Sequence, residues 1–198
     1  MTQSNEDNTA WRRALRQEMV SRRSALGEVV HAELSARIVA HLRATLLTPK
    51  VAAFCWPIKH EPDVRAIIDY WISAGSQAAL PVVLGENAAL AFRRWTATTP
   101  LVADRYGIPT PSAGPWLEPD LILLPLNGFD AAGYRLGYGG GYFDRTLAAL
   151  SPRPLAVGVG FEINRLASIR PESHDQQLDW IVTEAGTFRT DAFRSVDA

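Results

Sequence analysis

Short apolar runs alternate with amphipathic stretches along most of this chain. Apolar runs occupy residues 51–58, 77–84, 90–95, 121–126, 155–160 and 181–184. Runs of this length and composition are typical of strands that are buried on both faces of a sheet. Helical periodicity separates several of them, over residues 28–47 and 63–75. The pattern predicts an α/β fold with three layers, in which helices cover both faces of a mostly parallel central sheet.

The N-terminal segment begins without any apolar periodicity. We expect residues 1–10 to form a disordered tail and residues 11–198 to form a single α/β domain, because no change in composition marks a second one. From Thr9 a helix is predicted, with Trp11, Leu15 and Met19 on its apolar face. An adjacent face of this helix carries Arg12, Arg16 and Arg23. We expect Arg16 to be functional and most of the other arginines in this part of the chain to be solvated.

A proline-rich segment over residues 98–119 lacks periodicity and is predicted to be a long ordered loop. Farther on, Asp63 is a candidate cap for the helix over residues 63–75.

Composition narrows the range of functions. The chain has 198 residues, of which 47% are hydrophobic and 21% charged, as in ordinary globular proteins. Its 20 basic and 21 acidic residues give a net charge of -1, which argues against a nucleic-acid-binding protein. A single cysteine, Cys55, excludes an intrachain disulfide. With a polar N-terminus and no apolar run that spans a bilayer, we expect a cytoplasmic protein without a membrane partner.

The strongest chemical signal is a glycine-rich segment. Four of the five residues 137–141 are glycines, and the segment follows a predicted strand and precedes a helical pattern. Exposed backbone N–H groups at a helix N-terminus attract anions, and Arg135 and Arg145 flank the segment. It lacks the Gly-Lys-Ser/Thr of a Walker A loop, and Tyr142 occupies the third glycine position of a dinucleotide fingerprint. We interpret it as a polyphosphate cradle; the alternative is a turn that only packs a helix closely.

Asp144 follows the glycines and has two interpretations. A carboxylate in the first turn of a helix is an ordinary N-terminal cap. Next to bound phosphate it would repel the ligand unless a cation lay between them, and Mg²⁺ is the natural bridge.

Residues 135–145 resemble the glycine motif of the 5-formyltetrahydrofolate cyclo-ligase family, Arg-Leu-Gly-x-Gly-x-Gly-Tyr-Tyr-Asp-Arg, with Phe143 in place of the second tyrosine. Segments 128–130, 133–134, 57–63, 174–175 and 179–184 are also similar to the family pattern. The resemblance therefore extends from Trp11 to Gly186. One departure is Arg12, where the family has a lysine.

The resemblance implies a fold like that of ribose-phosphate isomerases and CoA-transferases. It also implies the conversion of 5-formyltetrahydrofolate and ATP to 5,10-methenyltetrahydrofolate, ADP and phosphate through a phosphorylated formyl group. ATP and Mg²⁺ are the expected cofactors and a folate the expected small-molecule partner. The protein is expected to be a monomer, with a dimer as the alternative.

Site residues follow by matching positions. Arg135 and Arg145 are the candidate catalytic residues. The candidate ATP-binding residues are Arg12, Arg16, Arg135, Leu136, Gly137, Tyr138, Gly139, Gly140, Gly141, Tyr142 and Phe143. The candidate folate-binding residues are Trp56, Glu61, Tyr138 and Tyr142. The candidate magnesium ligands are Asp144 and Asp179.

Two other functions stay open. A sugar-phosphate isomerase on a similar sheet would also hold phosphate in a glycine loop, but it would not use ATP. A non-catalytic folate- or nucleotide-binding relative would bind without turnover. The sequence assigns no role to His60, His174 or Asp175.

Overall fold

A computed structural model describes residues 3–190, and the side chains of residues 7–190. Its helices are α1 (Gln3–Ser24), α2 (Glu28–Thr45), α3 (Arg65–Ser73) and α4 (Tyr142–Ala149). Its strands are β1 (Val51–Ala53), β2 (Gln77–Val83), β3 (Leu90–Trp95), β4 (Leu101–Ala103), β5 (Pro109–Pro111), β6 (Trp116–Leu117), β7 (Leu121–Pro125), β8 (Gly128–Asp130), β9 (Arg135–Leu136), β10 (Leu155–Val159), β11 (Arg165–Leu166), β12 (Trp180–Thr183) and β13 (Gly186–Arg189). A 3₁₀ turn occupies Glu162–Asn164.

The central sheet has 8 strands in the order β13-β12-β10-β7-β1-β2-β3-β6. Its middle strands, from β12 to β2, are parallel to one another, while β13, β3 and β6 add antiparallel edges. β7 lies at the centre between β1 and β10, and its residues from Leu121 to Leu124 are buried. The predicted mostly parallel sheet is confirmed.

Helices lie on both faces of this sheet. On one face, Ile38 and Leu42 of α2 and Trp71 of α3 join a core cluster that includes Leu123. On the other face, Leu147 of α4 packs in a second cluster with Ile122, Leu124 and Leu126. Neighbouring residues of β7 therefore contribute to opposite clusters, as the alternation of side chains along a strand requires. This arrangement gives the three layers expected from the sequence.

A smaller sheet in the order β11-β8-β9 follows the carboxyl end of β7. Helix α1 packs on it, because Leu15 and Met19 share a core cluster with Leu136 of β9 and Ile169. The predicted apolar face of α1 is thus buried, and the helix runs beside the chain that follows β9. This packing brings the arginine-bearing face of α1 next to the glycine-rich segment.

Several predictions at the level of single elements were wrong. Residues 3–10 are helical rather than disordered, and the Asn8 side-chain amide donates a hydrogen bond of 2.8 Å to the Glu172 carboxylate. The predicted loop over residues 98–119 contains the β4–β5 hairpin and strand β6. Val64, not Asp63, is the N-cap of α3. The predicted single domain over residues 11–198 includes residues 191–198, which lie outside the described residues.

Among the helices within residues 3–190, none is long and apolar enough to cross a membrane.

Candidate active site

The glycine loop, residues 137–141, connects β9 to α4. Gly139 (φ +96°) and Gly141 (φ +63°) have left-handed backbones, which side chains rarely adopt. A Cβ atom added at Gly139 would lie 3.3 Å from Arg16 Cζ, and one at Gly141 would lie 2.8 Å from Arg145 Nη1. Glycine at these positions therefore serves both the backbone conformation and the close approach of two arginines.

Both of these arginines hold the loop through its carbonyl oxygens. Arg16 Nε of α1 donates to the Gly137 oxygen at 2.9 Å, and Arg145 Nη2 donates to the Gly140 oxygen at 2.6 Å. Burial, and next the neighbouring Arg12 guanidinium, lower the pKa of Arg16 from its ordinary value. The hydrogen bonds to the carbonyl oxygens orient the guanidinium groups of Arg16 and Arg145 toward the loop. Positive charge is therefore concentrated there.

Arg135 lies beneath the loop and is almost entirely buried. Its Nη2 atom is 3.3 Å from Asp144 Oδ1, in the first turn of α4. Burial lowers the pKa of Arg135, while the nearby Asp144 and Asp175 carboxylates raise it. Within residues 7–190, the buried Nε atom of Arg135 has no hydrogen-bond partner. The structure therefore brings Arg135 and Asp144 together, with one Arg135 donor unpaired among the described residues.

A loop from the C-terminal part of the chain completes this side of the site. Arg12 Nη1 and Nη2 donate to the two Asp175 oxygens at 3.0 and 3.2 Å. The backbone N–H of Gln176, the next residue, donates to Asp144 at 3.1 Å. Arg12, Asp144 and Asp175 therefore meet at one place. Sequence analysis assigned no role to Asp175, whose signal was a His-Asp pair in a loop that is similar to the family pattern.

Asp179, the second expected magnesium ligand, is held by an arginine and a backbone N–H. Arg153 Nη1 donates to both of its carboxylate oxygens, at 2.9 and 2.7 Å, and the backbone N–H of Ala156 donates to one of them at 2.7 Å. These contacts fix Asp179 beside the start of β10. In the part of the chain whose side chains are described, no three or more His, Cys, Asp or Glu residues form a metal-binding group.

Glu61 lies at a second part of the site and is only 3% exposed. Its carboxylate accepts hydrogen bonds from the Ile58 backbone N–H at 3.0 Å and from the Tyr138 hydroxyl at 2.5 Å. Burial raises the pKa of Glu61, and the hydrogen bond from Tyr138 opposes that rise. Because Tyr138 belongs to the glycine loop, this bond joins the loop to Glu61. Two residues assigned to the folate site therefore contact each other directly.

A strained turn presents Glu61. The turn closes with a hydrogen bond from the Glu61 N–H to the Ile58 oxygen at 2.9 Å. Lys59 (φ +48°) and His60 (φ +56°) both have left-handed backbones. Such conformations cost about 1–3 kcal/mol each and persist where the surroundings enforce them. His60 is partly exposed and lies 3.6 Å from Glu28, away from the carboxylate of Glu61.

A small cleft adjoins Glu61 at the carboxyl ends of β1, β7 and β10. It is lined by Cys55, Pro57, Glu61, Pro62, Val64, Leu123, Pro125 and Val159. Burial raises the pKa of Cys55, so that the thiol stays protonated and serves in packing. Trp56 does not line this cleft; its ring packs edge-on to Trp95, with centroids 6.2 Å apart.

Tyr142 faces the β4–β5 hairpin. Its hydroxyl is 2.8 Å from the hydroxyl of Tyr106, which lies in the turn between these strands. The two rings pack edge-to-face with centroids 6.0 Å apart. Sequence reasoning placed Tyr106 in a long loop and missed this contact, because pairing between distant segments leaves no local pattern.

These features define an α/β protein in which an arginine-lined glycine loop lies next to a buried carboxylate. The family model of the 5-formyltetrahydrofolate cyclo-ligases matches residues 8–184, and the chain belongs to that family. The resemblance noted from the sequence is thereby confirmed, as is the prediction that the protein is an enzyme of this family.

Individual relatives agree with the family assignment. A 5-formyltetrahydrofolate cyclo-ligase of Mycolicibacterium smegmatis is 28% identical over 178 residues, which cover 85% of this chain and 91% of the relative. One of Escherichia coli K12 is 31% identical over 130 residues, which cover 62% of this chain and 71% of the relative.

Solved structures of similar proteins have the same overall architecture. The NMR structure of the 5,10-methenyltetrahydrofolate synthetase of Aquifex aeolicus gives a TM-score of 0.78 at 28% identity, over 91% of this chain and 93% of that one. The synthetase of Mycoplasma pneumoniae gives a TM-score of 0.71 at 26% identity, over 87% and 98%. The agreement covers nearly the whole length of these proteins.

Proposed function

We propose that this protein uses ATP to cyclise 5-formyltetrahydrofolate to 5,10-methenyltetrahydrofolate, releasing ADP and phosphate. The observation that carries the proposal is the hydrogen bond between Tyr138 of the glycine loop and the buried Glu61 carboxylate. It supports the proposal because it joins the loop that is proposed to hold the phosphates to the carboxylate that is proposed to accept from pterin N–H groups. A reaction between a nucleotide and a folate needs this proximity.

Several donors fit the triphosphate of ATP. The glycine loop offers backbone N–H groups before α4, and Arg16, Arg135 and Arg145 surround it. The Nε atoms of Arg12 and Arg135 are buried and, within residues 7–190, have no hydrogen-bond partner. A phosphate oxygen is a suitable acceptor for such charged donors.

Mg²⁺ fits the acidic side of the same site. It typically binds to one or two protein carboxylates, with phosphate oxygens and water as further ligands. Asp144 is next to the glycine loop, and the loop 172–176 contacts it through the Gln176 backbone N–H. We propose that Asp144 holds the ion without the expected Asp179, which lies beside the start of β10 rather than at the glycine loop. Asp175 is not assigned as a ligand, because both of its oxygens already accept hydrogen bonds from Arg12.

The chemistry requires positioning more than a protein nucleophile. The formyl oxygen attacks the γ-phosphorus of ATP and the bond to the β–γ bridging oxygen breaks, giving ADP and a phosphorylated formyl group. The second amine of the folate then attacks the formyl carbon, and phosphate leaves with the original formyl oxygen. Arg135 and Arg145 are proposed to offset the charge on the transferring phosphoryl group, since such reactions depend mainly on alignment and electrostatics.

The residues proposed to bind the folate differ in polarity, and each role follows from the chemistry of its side chain. The Glu61 carboxylate accepts hydrogen bonds from pterin N–H groups, as a carboxylate without donors of its own must. Tyr138 and Tyr142 are proposed to supply aromatic surface for a flat ring, whereas Trp56 packs against Trp95 outside the cleft. We further propose a ribose-phosphate isomerase/CoA-transferase-like fold, a cytoplasmic location and a monomeric state.

Product formation tests the proposal. The purified protein is mixed with 5-formyltetrahydrofolate and Mg²⁺, with and without ATP, and the absorbance of the methenyl product is followed together with ADP release. We expect product only with ATP, in a one-to-one ratio with ADP. Binding of both ligands without turnover would instead support the non-catalytic alternative, and phosphosugar turnover without ATP would support the isomerase.

A further inference from the structure

Arg23 is a charged side chain in the interior of the protein. It lies in the last turn of α1 and is 0% exposed, whereas Arg22, next to it, is largely on the surface and pairs with Glu18. Burying a guanidinium group is costly unless its donors are satisfied. Its partners therefore indicate what the residue is for.

Each partner of Arg23 belongs to a different part of the site. Its Nε donates to the Lys59 oxygen at 2.8 Å, and its Nη2 donates to the Tyr138 hydroxyl at 3.1 Å. Its Nη1 donates to Asn127 Oδ1 at 3.1 Å, just beyond the carboxyl end of β7. Arg23 thus holds the strained turn before Glu61, the end of the central strand and the glycine loop at once.

The hydrogen bonds form a directed chain. Arg23 donates to the Tyr138 hydroxyl, which has its own proton free to donate to Glu61. A shift of the glycine loop therefore moves the hydroxyl relative to both partners. Arg23 also donates to the Lys59 carbonyl oxygen. The same side chain therefore contacts the turn that carries the Glu61 carboxylate.

Asn127 is itself held in place by two further hydrogen bonds. Its side-chain amide donates to the Arg16 backbone oxygen at 3.2 Å, and its own backbone oxygen accepts from Asn164 at 2.9 Å. Arg23 is thereby anchored to the sheet while it contacts two segments that bind ligands. A lysine has no planar fork of donors and could not reach all of these acceptors.

We infer that Arg23 is a positioning residue that couples occupation of the glycine loop to the Glu61 carboxylate, so that nucleotide and folate bind cooperatively. The inference rests on the proposed function, since it assumes that both ligands bind. Phosphate bound in the glycine loop would restrain the position of the Tyr138 hydroxyl, which Arg23 and Glu61 share, and with it the carboxylate that is proposed to receive the folate. Coupling is reciprocal, so the folate raises the affinity for the nucleotide by the same factor.

Calorimetric titration of the full chain measures this coupling. 5-Formyltetrahydrofolate is titrated with and without a non-hydrolysable ATP analogue and Mg²⁺. In the wild type we expect the nucleotide to increase folate affinity by a factor of roughly 5 to 150, the usual range for coupled sites. In Arg23→Gln this factor should fall to within about twofold of unity. The matched control Arg22→Gln removes an adjacent exposed arginine and should keep the full factor.

Tyr138→Phe makes the test independent of the folding of Arg23→Gln. It deletes the hydroxyl between Arg23 and Glu61 and leaves both of those residues in place, and it too should abolish the coupling. Persistent coupling in either variant overturns the inference, as does a wild type that forms the methenyl product but binds the two ligands independently. A wild type that binds neither ligand defeats the proposed function and the inference together.

Discussion

Arg12 and Asp175, 163 positions apart in the sequence, form a two-pronged ion pair with donor–acceptor distances of 3.0 and 3.2 Å. Both side chains are largely buried. The pair fastens α1 to the loop that carries Asp175 and so places that carboxylate next to Asp144. Arg12 therefore has a structural task in addition to its proposed contact with ATP.

Removing Arg12 should cost considerable stability. In Arg12→Ala the Asp175 carboxylate loses its cation, and breaking a buried pair in this way typically costs about 3–5 kcal/mol. Arg12→Lys keeps a positive charge at this position and should therefore lose less stability than Arg12→Ala. Urea denaturation measures the free energy of unfolding. Arg13→Ala, on the exposed face of α1, is the control, and an equal effect of both alanine variants would contradict this role.

Asp144 and Asp179 should respond differently to the same change. Asp144→Asn should raise the KM for Mg-ATP by about 10–100-fold, a typical effect of damage to a metal site, and leave folate affinity unchanged. Asp179→Asn should lower stability by about 1–3 kcal/mol through its lost contacts with Arg153 and Ala156, with little change in that KM. Steady-state kinetics and urea denaturation separate the two. The opposite pattern would restore Asp179 as the magnesium ligand.

Gly139 should not tolerate a side chain. The added Cβ of Gly139→Ala meets Arg16 at 3.3 Å on a left-handed backbone, so we expect ATP affinity to fall by about tenfold, or about 1.4 kcal/mol. Gly75→Ala is the matched control, because Gly75 also has a left-handed backbone (φ +100°) but has no atom within 4 Å of the added Cβ. Equal ATP affinity in both variants, measured by calorimetry, would show that the glycine loop does not contact the nucleotide.

The raised pKa of Glu61 has a consequence for stability. Because burial raises its pKa in the folded state, this residue binds a proton more tightly folded than unfolded. The contribution of this raised pKa to the stability of the fold is therefore fully present below the pKa of the unfolded state, about 4.3. It is lost as the pH rises through the higher pKa of the folded state. The charged and titratable groups that act on Glu61 are Tyr138, Arg23, Lys59 and Cys55, and His31 contacts its backbone oxygen.

The comparison of wild type with Glu61→Gln isolates this effect. The difference in free energy of unfolding, wild type minus variant, should decrease as the pH rises from about 4 towards neutral. Urea denaturation at a series of pH values measures it. A difference that grows with pH would mean that the pKa of Glu61 is lowered on folding.

How far the sequence predicted the molecule depended on the range of the interactions involved. The strands β7 and β10 were predicted to within a residue, because long apolar runs buried on both faces are a local signal. The strands β8, β9 and β11 have only two or three residues each, too few for any periodicity. Their pairing nevertheless positions the glycine loop. The helical residues 3–10 were missed because they are polar and their described contact, from Asn8, is to a distant loop.

The candidate site shows the same limit. The glycines and their flanking arginines form one segment, and the structure brings them together as predicted. Arg23 was expected on a solvated face, since nothing near it in the sequence indicates burial, yet its acceptors lie 36 to 115 positions away. For the same reason, Asp175 was left without a role and the contact of Tyr106 was missed. In each case the partner is supplied by tertiary structure alone.

A crystal structure of the full chain with a non-hydrolysable ATP analogue, Mg²⁺ and 5-formyltetrahydrofolate addresses the central claim most directly. We expect the triphosphate to accept hydrogen bonds from the backbone of residues 137–141, with the metal ion on Asp144 and the pterin ring against Glu61. A glycine loop that is closed by its own tyrosines, with the nucleotide bound elsewhere, would contradict the account.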